Sequence, residues 1–495
     1  MPSRTLKTVS VLALAAAISI WALAGQLKRV HAAANAGKPA QAAVAETTQQ
    51  DQTDLSVTVY NSNLALVRDV RQIRLQSGTF PLRFEDVAAS INPATVHFRS
   101  LTDPASVSVV EQNYEYDLLD PQKLLQKYVG REVTLVQREQ ENGSTKYVET
   151  KALLLANNNG PVWKVGDAII TGMTADSYRF PDVPENLYSR PTLVWTLTNR
   201  GAASQRVEAS YLTNSMNWNA DYVLTVARDE KTAGLDGWVT LTNNSGAAYN
   251  NAKLQLVAGE VNRAQPPPMR AMAGVVGGVA KEEAQFAQEN FSEYHLYTLG
   301  RRTSIQNNES KQISLLTASD VAVEKYLTVE GQPYYYRNPS GIGNAIPQPV
   351  KVYYRFKNDE KSGLGIPLPA GTVRVYQADS SGGTQFAGED NITHTPKDEM
   401  LRIHVGNAFD VVCERKETDY KRLASDLYEL EYQITLRNHK DSAVTVEVRE
   451  PVGGDWEVEN SNYKWTKLDS STIGFEIPVD KDGTATLDYR VRVKW

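Results

Sequence analysis

The sequence predicts a mainly β protein that consists of immunoglobulin-like β-sandwich units with a small inserted β-barrel in the N-terminal half. Three observations lead to this fold class. Short runs that alternate apolar and polar residues recur from Leu55 onward, which is the pattern of half-buried strands. A strand-ending phrase appears four times, and only one short segment carries good helix signals. Few helices and many period-two strands favour sandwich architectures.

The repeated phrase is an amphipathic strand that ends on asparagine and leads through a turn into another strand. Its four copies are "LVWTLTN", "GWVTLTN", "VYYRFKN" and "LEYQITLRN", which end at Asn199, Asn243, Asn358 and Asn438. Asparagine accepts turn conformations and can bond the backbone that follows it. The phrase therefore predicts a shared way of ending strands, and no copy contains a catalytic pattern.

The N-terminus has the pattern of an export signal over residues 1–32. Arg4 and Lys7 precede the apolar stretch "VSVLALAAAISIWALAG", and small residues that suit signal peptidase end at Ala32. The alternative is an uncleaved membrane anchor, because the apolar run is slightly longer than most signal cores. Residues 33–53 are rich in alanine, glutamine and threonine without periodicity, and predict a flexible leader.

Residues 54–190 predict an N-terminal β region with one helix. The helix is expected at 121–129, since Asp120 can cap it, Pro121 suits its first position and Gly130 can end it. Tight-turn dipeptides at Asn142-Gly143 and Asn159-Gly160 separate short alternating strands. We therefore expect a small barrel over about 131–175.

Residues 191–400 predict a central β-sandwich region and residues 401–495 a C-terminal immunoglobulin-like sandwich. Three successive prolines and "GVVGG" interrupt the central region, so a mobile loop is expected at about 262–290. The run "KEEAQFAQENF" at 281–291 is a candidate for a short helix in this loop.

Charge and cysteine content narrow the classes of function. Without residues 1–32, which carry four basic and no acidic residues, the chain has 48 basic and 58 acidic residues. An acidic chain without a basic cluster argues against nucleic acid as a partner. The only cysteine, Cys413, cannot form an internal disulfide. We expect it to be a buried core residue that shares one strand face with Phe409 and Val411.

The search for catalytic and metal-binding motifs yields no candidates. The histidines are far apart, and zinc motifs, a nucleophile elbow and a phosphate-binding loop are missing from the sequence. The run "DKDG" at Asp480 predicts a tight turn, because the further calcium ligands are missing. The sequence thus assigns no catalytic, cofactor-binding or metal-binding residue and implies no cofactor.

Two aromatic stretches are candidates for contact with a ligand. In "SMNWNADYVLTV", Trp218 could stack on a sugar, but we expect it in the core with its N–H satisfied. The stretch "GQPYYYRNPSG" predicts an exposed aromatic loop and is the best candidate for a contact surface.

Several phrases together resemble a known family. They are "VTVYNSNLALVRD", "FPDVPENLYSRPTLVW", "NWNADYVL", "LVAGEVNR", "EYHLYTLGRRTSI", "AFDVVCERKETD", "YQITLRN" and "DYRVRVKW". In these phrases the chain resembles exported bacterial proteins grouped under a domain of unknown function, which are related to mucoidy-inhibitor-like proteins. The resemblance extends from about Leu55 to Trp495 and implies an exported, predominantly β protein without known catalytic residues. It departs from the mucoidy-inhibitor-like proteins in having no sustained heptads.

The leading hypothesis for function is a non-enzymatic cell-envelope or secreted protein, periplasmic or extracellular, that works through contacts with an envelope protein or a glycan. The alternatives are a polysaccharide-binding module and a glycan-acting hydrolase. A hydrolase would require a concave pocket with two suitably spaced carboxylates and an aromatic ring. We expect no transmembrane segment beyond the N-terminal signal or anchor.

Overall fold

The computed structural model describes residues 45–115, 119–141, 144–184, 187–259, 261, 286–291, 294–337 and 341–495. Within these ranges the chain forms thirty-three strands, one α-helix and four short 3-10 helices. The predicted mainly β class is confirmed. None of the helices in these ranges is both long and apolar enough to cross a membrane.

The strands are short and follow one another with few interruptions. In the N-terminal half they are β1 (Ala45–Thr47), β2 (Gln52–Tyr60), β3 (Leu64–Arg74), β4 (Gly78–Glu85), β5 (His97–Ser100), β6 (Val107–Glu115), β7 (Glu132–Glu141), β8 (Ser144–Asn157), β9 (Pro161–Val165), β10 (Ala168–Thr171), β11 (Ser177–Arg179), β12 (Thr192–Asn199), β13 (Ser204–Asn214), β14 (Met216–Val226) and β15 (Thr232–Asn243). The remaining strands are β16 (Tyr249–Ala258), β17 (Phe286–Phe291), β18 (Tyr294–Leu299), β19 (Thr303–Ile305), β20 (Glu309–Ala322), β21 (Glu324–Glu330), β22 (Ala345–Gln348), β23 (Lys351–Lys357), β24 (Gly371–Ala378), β25 (Thr384–Ile392), β26 (Met400–Asn407), β27 (Val411–Arg422), β28 (Leu427–Asn438), β29 (Val444–Pro451), β30 (Asp455–Ser461), β31 (Trp465–Asp469), β32 (Thr472–Val479) and β33 (Thr484–Lys494).

The chain divides into two compact units. Of the described residues, the first unit takes 45–52, 71–87 and those between 98 and 208, and the second takes 53–70, 88–97 and those from 209 onward. Both are therefore built from separate stretches of the chain. The largest sheet has eight strands in the order β17-β18-β16-β2-β3-β13-β5, with β19 paired to β16.

A four-stranded sheet in the first unit has the order β1-β4-β12-β6. Its core forms because β12 alternates strictly, so that Leu193, Trp195 and Leu197 are fully buried. The Trp195 ring contacts Phe84 at 5.4 Å and Phe98 at 4.6 Å between centroids. Its N–H donates to the Gln112 side chain at 2.8 Å, which satisfies the buried indole.

The end of the predicted leader is structured. Ala45–Thr47 forms β1, which pairs in parallel with β4. A 3-10 helix at Gln49–Asp51 follows, and its capping box joins the Thr48 and Asp51 side chains to the backbone. The prediction of a flexible leader is thus wrong for 45–53, while residues 1–44, including the predicted signal, lie outside the described residues.

The inserted segment of the first unit combines one helix with five strands. Helix α1 spans Pro121–Lys127, within the predicted 121–129, and the Asp120 carboxylate accepts from the N–H groups of Gln122 and Lys123. The five strands form a sheet in the order β10-β9-β8-β7-β11 around the fully buried Trp163.

The predicted barrel is not closed within the described residues, so that prediction is wrong. Strands β10 and β11 pair only with β9 and β7, respectively, and form the two edges of the sheet. They have four and three residues. Tight turns determine which strands are neighbours, but closure requires the two edges to pair as well, and turn residues do not encode that step.

The second unit contains three sheets formed by the central and C-terminal parts of the chain. Their orders are β20-β15-β14-β24-β25, β26-β23-β21-β29-β32-β31 and β22-β27-β28-β33-β30. The last two share one core, in which Tyr432, Ile434 and Tyr489 of one sheet meet Val448 and Phe475 of the other. This core also includes residues of β21, N-terminal to the predicted boundary at 401.

The strand-ending asparagines bond the backbone as predicted. Asn199, Asn243, Asn358 and Asn438 are all at most 1% exposed. Each side chain accepts from a backbone N–H farther along the chain and donates to at least one backbone carbonyl. This confirms that the repeated phrase encodes a repeated strand ending.

The predicted mobile loop at 262–290 lies outside the described residues except for its last five positions. These positions belong to β17, which pairs antiparallel with β18. The candidate helix at 281–291 is therefore wrong for 286–291, because pairing with a neighbouring strand overrides weak local helix propensity.

Candidate functional site

The residues that the sequence singled out occupy core positions. Trp218 is 1% exposed and its N–H donates to the Val257 carbonyl at 3.3 Å. Tyr222 is buried, and its hydroxyl donates to the Pro369 carbonyl at 2.9 Å. The core prediction for Trp218 is confirmed, so sugar stacking on this ring is not available.

The predicted aromatic contact loop is largely wrong. Tyr335 is 5% exposed and Tyr336 is fully buried, while Tyr334 is 60% exposed. A 3-10 helix at Pro333–Tyr336 turns two of the three rings into the C-terminal core. The Tyr336 hydroxyl donates there to the buried carboxylate of Glu450. Adjacent aromatic residues do not reveal from sequence which rings point inward.

Cys413 is 2% exposed, as predicted, and burial raises the pKa of its thiol to about 12. Phe409, however, is 94% exposed and precedes β27, so the predicted shared face of Phe409, Val411 and Cys413 is wrong for Phe409. The thiol is unsuited to nucleophilic chemistry because its reactive thiolate is disfavoured.

The acidic run at Asp480 forms a turn. Within the described ranges there is no group of three or more metal-ligating side chains. At the "DKDG" segment, the Gly483 N–H donates to the Asp480 carbonyl at 3.1 Å and Asp482 has a φ of 48°. This is the predicted tight turn.

A polar cleft of about 600 Å³ in the second unit is the best candidate for a binding site. It lies against the six-stranded sheet, beside the turn that follows β14 and the turn that follows β28. Most of its lining residues are charged or carry a hydroxyl group: Glu230, Glu324, Lys325, Tyr326, Leu327, Arg355, Lys440, Ser442, Ala443, Val444, Thr445, Glu447 and Glu476. These residues define the cleft. Clefts lined by several strands and loops are common ligand sites.

Strand register places the central side chains of the cleft. In the pairing of β21 with β23, Glu324 lies opposite Arg355 and Tyr326 lies opposite Tyr353. The Arg355 guanidinium donates to both oxygens of Glu324, at 2.7 and 2.6 Å. This bidentate bond lowers the pKa of Glu324.

A second carboxylate of the cleft is held in the same way. Glu230 accepts from Lys325 at 2.6 Å, Gln377 at 2.8 Å and Tyr354 at 3.3 Å. Burial is the largest single influence and favours the neutral acid, but the hydrogen bonds from Lys325 and Gln377 lower the pKa of Glu230 overall. Glu230 and Glu324 are therefore hydrogen-bond acceptors at neutral pH and poor proton donors.

Aromatic rings and arginines stack beside these pairs. Tyr326 and Tyr353 are stacked at 5.3 Å with 17° between their planes. The guanidinium of Arg402 lies 5.5 Å from the Tyr326 ring and 5.2 Å from the Tyr353 ring, and its Nε donates to the Tyr326 hydroxyl at 2.5 Å. Such cation–π contacts fix both partners. Because Tyr353 occupies one face of Tyr326, that face is not available to stack on a ligand.

The remaining charges of the cleft come from β29, β32 and the turn that follows β28. Glu447 and Glu476 are directly opposite each other on β29 and β32, an unfavourable arrangement for like charges. Arg449 pairs with Glu447 at 3.1 Å. Among the described residues, neither Glu476 nor Lys440 forms an ion pair. The cleft thus offers one carboxylate and one ammonium group to a ligand.

Sequence reasoning missed this cleft. The runs "EKYLTVE" and "VYYRFKN" alternate charged or aromatic residues with apolar ones. That alternation was a signal for one polar face on each strand. The register between the two strands is a tertiary feature, and neither segment alone predicts it.

The comparison with protein families identifies the chain. Residues 207–495 match the model of DUF4139, described as a domain of unknown function. The chain belongs to this family. All residues of the cleft lie within the matched part, and the predicted resemblance to a domain-of-unknown-function family is confirmed. No curated protein matches the chain.

Proposed function

We propose that this member of the DUF4139 family is an exported bacterial protein of the periplasm, cell envelope or extracellular space that acts by binding and not by catalysis. Export is supported by the basic residues Arg4 and Lys7, the apolar run after them and the small residues that end at Ala32. The cleft is the proposed contact site for an envelope protein or a glycan.

The protonation state of the cleft carboxylates is the main support for this proposal. A glycan hydrolase requires a carboxylic acid whose pKa is raised so that it can protonate the leaving group. The pKa values of Glu230 and Glu324 are lowered instead, by partners within 2.6–2.8 Å. Fixed acceptors and donors of this kind suit recognition of a polar ligand.

The proposal also covers the type of β-sandwich and the relationship to other protein families. We infer that the sheets of the second unit are immunoglobulin-like sandwiches, because two of them enclose a common core built by alternating strands. The eight phrases described above support a relationship to mucoidy-inhibitor-like proteins.

The test is crosslinking of a C-terminally tagged chain in intact cells, followed by mass spectrometry of what is captured. Tyr326→Ala removes a cleft ring, and Tyr334→Ala removes an exposed ring outside the cleft and serves as the matched control. We expect one reproducible envelope partner or glycan whose capture falls with Tyr326→Ala and persists with Tyr334→Ala. Loss with Tyr334→Ala alone would place the contact outside the cleft, and turnover of an added polysaccharide would refute the non-catalytic proposal.

Export is tested separately by cell fractionation and N-terminal sequencing. We expect the chain outside the cytoplasm, with a mature N-terminus at Ala33 if the signal is cleaved. A cytoplasmic chain that begins at its first residues would contradict the export proposal.

A further inference from the structure

The five-stranded sheet β20-β15-β14-β24-β25 of the second unit has one buried and one accessible face. On β14, Trp218 and Leu224 are buried, whereas Asn219 and Thr225 are exposed. Successive side chains of a strand point to opposite faces of a sheet, so Asn219 and Thr225 share the face that lies away from the core. We call this side of the sheet the outer face. The described residues leave it accessible to a ligand.

Trp238 of β15 stands on the outer face. It lies opposite Asp221 of β14 and follows the strand alternation that buries Val239 on the other side. Trp238 is 39% exposed. Among the described residues, no aromatic ring stacks on its indole and no acceptor bonds its N–H. A free aromatic ring with a free N–H suits a ligand that has an apolar surface and polar edges.

Charged side chains of the outer face hold one another in place next to this ring. The Asp221 carboxylate accepts from the Arg374 guanidinium at 2.9 Å and from the Thr240 hydroxyl at 2.8 Å. Arg374 also lies 3.4 Å from Glu389. All three charged side chains remain partly exposed. Because a carboxylate and a guanidinium each make several hydrogen bonds, their remaining positions can bond the hydroxyl groups of a ligand.

The outer face carries little positive charge. The five strands contain two basic residues, Lys311 and Arg374. Lys311 lies opposite the buried Leu241 and therefore belongs to the other face of the sheet. Arg374 is held by two carboxylates, and Asp236 adds a further acidic group to the outer face. Such a face repels a ligand with phosphate, sulfate or carboxylate groups and accepts a neutral one.

A second pair of aromatic rings lies on the same face. Tyr376 of β24 is two positions beyond Arg374 and contacts Phe386 of β25, with 5.6 Å between the ring centroids. Phe386 is 57% exposed. Strand register places Tyr376 four positions along the strands and two strands across from Trp238. This displacement corresponds to about 16 Å at the usual strand spacings. A ligand that touches both aromatic sites is therefore extended.

We propose that the outer face binds a neutral polysaccharide in an extended conformation, whose sugar rings stack on Trp238 and whose hydroxyl groups bond Asp221 and Arg374. A sugar ring has apolar faces and polar edges, which matches a free indole beside fixed donors and acceptors. A protein partner fits less well, because the core of a protein interface is depleted of charged residues. The cleft lies against the six-stranded sheet, so this inference does not depend on it.

The test is isothermal titration calorimetry of the full chain with three oligosaccharides of equal length. Cellohexaose and fully acetylated chitohexaose are neutral and extended, and hexamannuronate is anionic. We expect at least one neutral oligosaccharide to bind, and hexamannuronate to bind more weakly. Trp238→Ala should weaken binding of the neutral oligosaccharide at least about tenfold, which corresponds to about 1.4 kcal/mol. Trp238→Tyr keeps an aromatic ring and should weaken it less than about threefold.

Three further variants make the outcome decisive. Trp465→Ala is the matched control, because Trp465 is 38% exposed but belongs to β31 of another sheet, and it should leave binding within about twofold. Tyr376→Ala removes a ring of the second aromatic site and should weaken binding without any change at Trp238. Tyr326→Ala, in the cleft, should not alter binding, so failure here and failure of the cleft proposal are distinguishable.

Three results would overturn the proposal. The first is that neither neutral oligosaccharide binds at concentrations up to about 1 mM. The second is that Trp238→Ala and Trp465→Ala have equal effects on binding. The third is loss of binding with Tyr326→Ala and not with Trp238→Ala, which would place the oligosaccharide in the cleft and leave the proposed function standing.

Discussion

Replacing Asn243 with alanine tests whether the repeated strand-ending asparagines hold the fold together. The side chain is fully buried at the end of β15. Its Nδ2 donates to the carbonyls of Ala247 and Gln306, both at 2.9 Å, and its Oδ1 accepts from the N–H of Ser245 at 3.1 Å. Alanine removes all of these bonds at once.

The expected loss follows from the groups left without a partner. The Ala247 carbonyl and the Ser245 N–H belong to buried residues, where each unsatisfied polar group costs about 1–3 kcal/mol, whereas Gln306 is exposed and its carbonyl can bond water instead. The Ser245 hydroxyl also loses Oδ1 but keeps the Tyr249 hydroxyl at 2.9 Å. We therefore expect Asn243→Ala to lower the free energy of unfolding of the second unit by about 3–5 kcal/mol. Asn243→Asp should cost at least as much, because it places a charge beside two carbonyl oxygens.

The assay is urea unfolding followed by tryptophan fluorescence, with Asn244→Ala as the matched control. Asn244 is exposed and its backbone N–H alone is bonded, to the Ser215 carbonyl at 2.8 Å. The control should therefore lie within about 0.5 kcal/mol of the unaltered chain. Equal midpoints for Asn243→Ala and Asn244→Ala would refute the reasoning that these bonds stabilise the strand ending.

Four further outcomes follow from other buried or paired groups. Trp218→Ala should lower stability by about 3–5 kcal/mol in urea unfolding, because it opens a cavity in the core; an unchanged midpoint would contradict its burial. The Cys413 thiol, buried and with its pKa raised to about 12, should resist a thiol reagent until the chain is unfolded in urea, when one thiol per chain reacts; labelling of the native chain would refute this. Arg415→Met should cost about 3–5 kcal/mol because Glu450 is left buried without its cation, and adding Glu450→Gln should recover part of that loss. A hydrogen bond from Arg302 lowers the pKa of Asp54 below its ordinary 3.8. The contribution of this ion pair to the free energy of unfolding is therefore fully present above pH 3.8 and is lost as the pH falls through the folded-state pKa. Asp54→Asn should therefore cost under about 1 kcal/mol at pH 7 and nothing in stronger acid; a cost independent of pH would contradict the ion pair.

Local chemistry made much of the fold predictable. Period-two alternation identified strands such as β12, whose Leu193, Trp195 and Leu197 are all fully buried. The helix signals at Asp120 and Pro121 coincide with the start of α1. These features depend on residues that are neighbours in sequence. Hydrophobic periodicity and turn-forming residues are therefore enough to predict them.

Features that depend on distant parts of the chain could not be predicted. Tyr335 and Tyr336 are buried because the C-terminal core receives them, and Tyr336 meets Glu450 across 114 positions of sequence. The cleft likewise combines Glu230 with Lys325, 95 positions later. These contacts depend on strand register and on which strands are neighbours in a sheet. Neither can be predicted from a single sequence.

The most direct measurement of the central claim is site-specific photo-crosslinking from the cleft in intact cells. A photoreactive amino acid at Thr445, an exposed position of the cleft, is compared with one at Lys464, an exposed position outside it. If the chain acts by binding through the cleft, a defined partner is captured from position 445, is not captured from 464, and is lost when Tyr326→Ala is added. Equal capture from both positions, or capture that Tyr326→Ala does not change, would contradict the account.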